Sequence, residues 1–389
     1  MRSTSSRVRS LPTSPILKVI DLAKELERKG EKIIHFEKGE PEFRTPEHIL
    51  KAIKDALDGG YTKYMPSQGL LELREAIAQK LEEEGIGTDP RSEILVTPGG
   101  KHALYLAITS LLEEGDEVLI PEPFFPAYRD ITLIAGGQPM FVPFKEEDSF
   151  QLPREDLVSR VTKRTKMMIL NYPNNPTGWV PSRQELKEIL DVAVDNDVFV
   201  LSDEIYEKFV FDGLEHHHAL SFDDAREHVV MLNSFSKTYG MTGFRLGYIV
   251  AEKDLISQML KHQQNSITCV SGFIQMAGIA ALRGPQGFIE EKVETYRRRR
   301  DYAVDRLNKI DGVSCTKPRG AFYVFPNISR LGVSSEELAD RILREAGVAT
   351  VPGTALGDSW DTHLRISLTE TDENVRMGIE RIAEVMERI

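Results

Sequence analysis

Cysteine is nearly missing from this chain, with Cys269 and Cys315 the only two among 389 residues. They form no disulfide framework and no metal-ligand spacing, so a reducing compartment is the simple reading. Basic charge is also in deficit: 49 Lys and Arg stand against 61 Asp and Glu, a net charge of -12. A chain with that balance is a poor partner for nucleic acid or an anionic membrane surface. No apolar run is long enough to span a bilayer. There is no internal repeat and no low-complexity linker. A G-x-G-x-x-G fingerprint after the first strand and a Walker loop are both missing, which argues against a nicotinamide dehydrogenase or a P-loop nucleotide site. Acids are lacking in the opening MRSTSSRVRS, an Arg- and Ser-rich composition shared with transit peptides. The stretch is short, and it is read as an exposed arm of a cytoplasmic protein.

What is present alternates between helical periodicity and short β-branched runs, the pattern of an α/β fold with a mostly parallel sheet. Leu70–Glu84 reads as an amphipathic helix, Ile94–Thr97 as a strand, and His102–Glu113 as a helix after a Gly-Gly turn. Val118–Ile120, Lys166–Leu170, Val198–Leu201, Val229–Leu232 and Leu246–Val250 are short apolar runs of the kind that become buried strands. A long charged helix is expected over Gly287–Ile310. It is followed by a strand at Ala321–Phe325, a helix at Ser335–Glu345, a strand at His363–Ser367 and a closing helix from Asp372. The expected division is a large domain at about 51–285 and a small α/β domain built from both chain ends, 1–50 and 286–389.

Four segments carry chemistry. In Asn233–Gly247, NSFSKTYGMTGFRLG, Lys237 lies among small and hydroxyl residues with Arg245 eight positions on. A lysine amine can condense with an aldehyde as a covalent catalyst. Ser234, Ser236 and Arg245 could hold a phosphate, the arginine through paired charge-assisted bonds. Asn174–Gly178, NNPTG, follows a strand and has the Asn-Pro pair of a turn. Ser202–Tyr206, SDEIY, puts an acid at the carboxyl end of an apolar strand, where α/β folds place their sites. A helix N-terminus with acids in its first turn is the plainer reading there, and it suits Glu204 better than Asp203. Thr97–His102, TPGGKH, joins a strand to a helix whose N-terminal amides suit a phosphate.

Together these segments resemble the class I and II aminotransferases, the fold-type I pyridoxal-phosphate family, in the right order from Gly39 to Arg365. The signature around Lys237 is specific, since it fixes many positions across Ser234–Gly247. The resemblance implies an aspartate-aminotransferase-like fold and a pyridoxal 5'-phosphate cofactor held by Lys237 as a Schiff base. It gives Asn175 and Tyr206 to the ring oxygen of the cofactor and Asp203 to its pyridine nitrogen. A buried carboxylate there would keep that nitrogen protonated. Gly100 and Lys101 would offer backbone amides to the phosphate, and Phe125 would stack on the ring. Tyr64 would reach the phosphate of a neighbouring subunit, implying a homodimer. Arg365, with Gly39 and Asn175, would hold the substrate carboxylate. An arginine inside an apolar strand needs an anion beside it in any case.

The implied reaction moves an amino group from an L-amino acid to a 2-oxo acid, 2-oxoglutarate being the expected acceptor, by a ping-pong course. Lys237 would shuttle the proton. A β-elimination lyase of the same fold is the nearest alternative, and a non-catalytic cofactor-binding regulator a more distant one. The amino donor stays open among aspartate, alanine and aromatic residues. The segment that brings a second arginine to dicarboxylate substrates in the aspartate enzymes reads here as His262–Asn265 and holds none. No metal is expected. The triplet His216–His218 reads as a solvated loop, because consecutive histidines diverge and no carboxylate or cysteine stands at a helpful spacing. The run Arg297–Arg300 reads as a salt-bridged surface face, paired with Glu290, Glu291 and Glu294 a turn or two earlier.

Overall fold

The computed structural model describes residues 4–12 and 15–389. Residues 1–3 of the expected arm lie outside the described residues; Thr4–Ser10 is exposed and contains the short helix Ser6–Arg9. In chain order the strands are β1 (Ile34–His35), β2 (Ile94–Thr97), β3 (Glu117–Glu122), β4 (Gln138–Pro143), β5 (Thr165–Asn171) and β6 (Phe199–Asp203). They continue with β7 (Val229–Ser234), β8 (Gly247–Val250), β9 (Tyr323–Val324), β10 (Val348–Ala349), β11 (Val351–Pro352) and β12 (Leu364–Ser367).

Seven of them form one sheet in the order β2-β8-β7-β6-β5-β3-β4, and only β8 runs antiparallel to its neighbours. β3, β6 and β7 are buried almost end to end because helices cover both faces. Met167 and Ile169 of β5 face the helix Gly100–Leu111 through Leu104 and Ile108. Met168 and Leu170 face the opposite way, toward Ile189 and Leu190 of the helix Arg183–Asp195. That helix starts at a capping box: Ser182 accepts from the Glu185 amide, and Glu185 returns the bond to the Ser182 amide. β4 closes one edge of the sheet. Pro139 and Pro143 lie in it, and Arg160 Nε donates to the Phe141 carbonyl over 3.1 Å.

Two smaller sheets join distant parts of the chain. β1 pairs in parallel with β10, while β12 lies between β11 and β9, antiparallel to both. Ile34 and Phe36 share a core with Leu307, Leu338, Ile342, Ile379 and Ile382, so the N-terminal segment packs among C-terminal elements.

The run Arg297–Arg300 is not the surface face expected. It falls in the helix Gly287–Leu307, where four consecutive residues point around the whole helix. Only Arg297 pairs with Glu294, at 2.7 Å. Arg299 and Arg300 are buried. Arg299 bonds Asp372 and Glu42, and Arg300 grips Asp212 with two bonds of 2.9 Å. These arginines connect segments far apart in sequence.

His35 ties the helix Pro15–Arg28 to this core. Its Nδ1 lies 2.8 Å from Glu37 Oε1, and its Nε2 lies 3.0 Å from Glu27 Oε1 on that helix. The bond to Glu37 raises the imidazole pKa above its ordinary 6.5, and the Glu37 charge and the Glu27 bond add to that, against burial and the charge of Lys38. A proton held more tightly in the folded chain stabilises fully below the unfolded value, and the contribution disappears as pH rises through the raised one. The difference in thermal midpoint between the wild type and His35→Gln is therefore expected to be largest below the ordinary imidazole value of 6.5 and to shrink as pH rises through the raised one. A difference independent of pH would remove the imidazolium from this contact.

Candidate active site

The carboxyl ends of the parallel strands meet along one side of the large sheet. Asn171, the last residue of β5, stands beside Asp203, the last of β6; Ser234, the last of β7, stands beside Gly247 at the start of β8. Thr97 ends β2 opposite the same Gly247. Residues scattered over 150 positions of sequence thereby converge by topology.

Asp203 is buried, and its Oδ2 accepts from the Tyr128 hydroxyl over 2.7 Å. Burial pushes its pKa up to about 6, against the pull of Tyr128 and the Ile205 amide. Asn171 Nδ2 donates to the Asp203 carbonyl, and Asn171 Oδ1 accepts from the Asn175 amide. Asn175 therefore hangs from the strand that flanks Asp203. Its own Oδ1 accepts from Arg365 Nη1 at 3.4 Å.

Arg365 lies in β12 and is only 4% exposed. Its Nη2 donates to the Glu37 carbonyl over 2.6 Å, and its guanidinium lies 4.8 Å from the centroid of the Tyr323 ring. Its Nε has no partner among the described residues. A buried cationic N–H left unpaired is costly, and an incoming anion would satisfy it. Tyr323 shares a hydrogen bond of 2.8 Å with the hydroxyl of Tyr206 and lies so close to Gly39 that a Cβ there would collide with it. Gly39 is thus required by proximity rather than by its backbone angle.

Lys237 donates from Nζ to the Gly39 carbonyl, and its ammonium lies 6.0 Å from the centroid of the Tyr206 ring. Burial lowers its pKa to about 8, helped by Arg365 and Arg245 and opposed by Glu40 and Asp203. At that value about a tenth of the amine is free at pH 7, far more than for an ordinary lysine, which suits it to act as nucleophile and proton carrier.

The phosphate segment also assembles. Gly99 has φ +83 and faces the Arg245 guanidinium so closely that a side chain at Gly99 would displace it. Gly247 leaves no room for a Cβ against the backbone of Gly99 and Gly100. Gly100 opens the helix Gly100–Leu111, and Ser234 lies across from it. Ser234 Oγ accepts from the Ser236 amide over 3.1 Å and donates to the Leu246 carbonyl over 3.0 Å, so it shapes the turn into Lys237. Arg245 Nη1 donates to the Thr242 carbonyl. The result is a helix N-terminus, two hydroxyls and a guanidinium around one glycine turn.

Lys101 places its ammonium 5.4 Å over the Phe125 ring, and Phe125 meets Tyr128 edge to face, 5.7 Å between centroids. Tyr64 is not brought to this cluster within one chain. It is 86% exposed and borders a surface depression with Ile267, Cys269 and Phe273. His262 packs against Ser110 of the helix Gly100–Leu111, 3.0 Å from its hydroxyl.

Tyr128, Tyr323 and Asn171 were not anticipated. Tyr128 stands three residues after Phe125, the spacing of a helical turn, and Tyr323 lies in the run Ala321–Phe325. Two other readings change. Glu204 does not open a helix, since turns follow β6 directly. It is fully buried and accepts at Oε1 from Tyr172, Ser202 and the Ala219 amide. The histidine triplet is not a solvated loop. His218 is buried and His216 partly so, and both rings meet Glu204 Oε2. The carboxylate that sequence spacing did not supply arrives through the turn after β6.

A family model described as aminotransferase class I and II matches residues 31–382. The chain is 40% identical to an aromatic-amino-acid aminotransferase of Thermococcus litoralis and 41% identical to an aspartate aminotransferase of Pyrococcus abyssi, each over 98% of both chains. Its fold matches a structure of Thermus thermophilus aspartate aminotransferase with maleate at a TM-score of 0.93 and 37% identity, over 99% of this chain and 100% of that one.

Proposed function

Because the chain belongs to the class I and II aminotransferases, and so is a transaminase acting on amino and keto acids, we propose that it depends on pyridoxal 5'-phosphate. On this reading it passes the amino group of an L-amino acid to 2-oxoglutarate by a ping-pong course. The observation that carries the reading is one connected cluster. In it a buried carboxyl (Asp203), an amine of lowered pKa (Lys237) and a buried guanidinium with an unpaired Nε (Arg365) are linked through Asn171 and Asn175 on one side and Tyr323 and Tyr206 on the other.

The residues present fit the cofactor. Lys237 would hold it covalently. Gly100, Lys101, Ser234, Ser236 and Arg245 would receive its phosphate, with Tyr64 of a second copy completing that pocket in a homodimer. Phe125 would cover its ring, Asn175 and Tyr206 would bond the ring oxygen, and Asp203 would hold a proton on the ring nitrogen. Bound there, pyridoxal phosphate supplies an aldehyde that condenses with amines and a protonated ring that takes up the electron pair left at the substrate Cα.

The chain's own residues do the rest. Arg365, with Gly39 and Asn175, fixes the substrate carboxylate, which limits rotation about Cα and holds its C–H bond toward Lys237. Lys237 Nζ then takes that proton and later returns it. Tyr128 holds the Asp203 carboxylate in place, and the Tyr206–Tyr323 pair keeps the tyrosine hydroxyl oriented. The division into a large domain at about 51–285 and a small one from 1–50 and 286–389 fits this assignment. It puts Lys237 and Asp203 in the first and Arg365 and Gly39 in the second. A cytoplasmic setting accords with the two free cysteines.

The test is a panel of aspartate, phenylalanine, tyrosine and alanine as donors with 2-oxoglutarate. Glutamate is expected in equal amount to the keto acid formed, with parallel double-reciprocal plots. Ammonia released without glutamate would replace transfer by elimination.

A further inference from the structure

The histidine triplet takes no part in the proposed reaction, yet it is built into the interior. Glu204 follows Asp203 but turns to the other face of the strand, the side of Ser202. Three donors hold its Oε1: the Tyr172 hydroxyl at 3.0 Å, the Ser202 hydroxyl at 2.7 Å and the Ala219 amide at 3.1 Å. Its other oxygen is left for the two histidines. His216 Nε2 lies 3.0 Å and His218 Nδ1 2.5 Å from the same Glu204 Oε2. All three atoms fall within 4.8 Å of one another. Two ring nitrogens and a carboxylate oxygen gathered this closely form the ligand set used for zinc and related divalent ions.

The surroundings favour a cation at that point. His218 Nε2 is directed outward at Glu84 Oε2, 3.2 Å away, with Glu207 at 3.9 Å. A carboxylate on the outer nitrogen keeps a proton there, so that an entering metal displaces to solvent the inner proton now shared with Glu204 and takes that nitrogen's lone pair. A second trio, Glu84, Glu207 and His218, also gathers within reach of a metal. It is already served by ammonium groups: Lys80 lies 3.0 Å from Glu84 and 2.7 Å from Glu207, and Lys208 lies 2.5 Å from Glu84. With both carboxylates neutralised, that trio supports the first and does not compete with it.

We propose that Glu204, His216 and His218 form a structural site for one first-row divalent cation of the zinc class, fastening the 216–221 segment to the end of β6. The site lies on the opposite side of the strand end from the Tyr128–Asp203 bond, so the ion takes no part in amino transfer.

The test uses the full chain with its cofactor, stripped of metals by a chelator and dialysed against Zn²⁺ or Co²⁺. One ion per chain is expected, with the strong visible bands of four-coordinate Co²⁺. Zinc is also expected to raise the thermal midpoint. His216→Gln should weaken binding by at least about tenfold and reduce the zinc-dependent rise in midpoint accordingly. It should leave the folded far-ultraviolet spectrum and the transaminase rate without added metal unchanged. The His216→Gln/His218→Gln pair should bind no ion at this stoichiometry. Failure of the stripped wild type to take up Zn²⁺, or uptake by the paired variant with unchanged affinity, would overturn the proposal. Neither result bears on the cofactor assignment.

Discussion

Replacing Lys237 with alanine is expected to lower transamination by at least about 10⁴-fold while the chain still folds and still takes up pyridoxal phosphate without a covalent link. The loss is large because one atom has two tasks, covalent anchor and proton carrier. Neither Tyr206 nor Arg245 can take over. Burial raises the Tyr206 hydroxyl pKa, so it does not accept a proton near neutrality. An arginine does not release one. The fold should survive because the side-chain bond lost is the one from Lys237 Nζ to the Gly39 carbonyl, and the substitution takes the buried amine away with it. The check is a burst-free rate measurement together with the mass of the borohydride-reduced peptide. Wild-type turnover in this variant, or an adduct on another lysine, would end the assignment.

Arg365→Leu is the second large effect. Truncating one member of a buried charged contact costs about 2–5 kcal/mol, so kcat/KM should fall by roughly 30- to 5,000-fold for every amino donor alike. Much of that loss should appear in KM, since the carboxylate is held before and after the chemical step. Leucine keeps an apolar stem in the strand but is too short to replace the guanidinium that now lies 4.8 Å from the centroid of the Tyr323 ring. A variant retaining wild-type KM for all donors would show that another group holds the carboxylate. A selective loss for aspartate alone would assign Arg365 to the side chain of the substrate.

The sequence exposed the elements with a strong pattern and hid those without one. Buried strands such as β7 stand out because both faces are covered and the run Val229–Leu232 is apolar throughout. β4 does not: its burial alternates irregularly, and its two prolines read as breakers, which are tolerated because it lies at an edge. The helices Pro15–Arg28 and Glu47–Asp58 carry apolar stripes but no chemical motif, and only their periodicity marks them in the sequence.

The site shows the same division. Lys237, Asp203, Asn175 and Arg365 sit in segments whose residue types are unusual for plain turns and strands. Tyr128 and Tyr323 look like core aromatics in sequence, and only the approach of Asp203 and Tyr206 gives their hydroxyls a polar task. The histidine triplet and the arginine run are illegible in sequence for one reason: Glu204 and Asp212 reach them through tertiary structure and not through local spacing.

The outer strand β4 has a consequence for the molecule in crowded solution. Pro139 and Pro143 share the side of the strand occupied by Phe141, because the strand repeats every two residues. The Phe141 carbonyl turns outward to Arg160, so that whole row faces away from the sheet. Of its three amide positions two lack a hydrogen, and its central acceptor is already taken. A foreign strand laid along this border would find a single N–H to pair with, so the sheet cannot grow there by fibril-like addition.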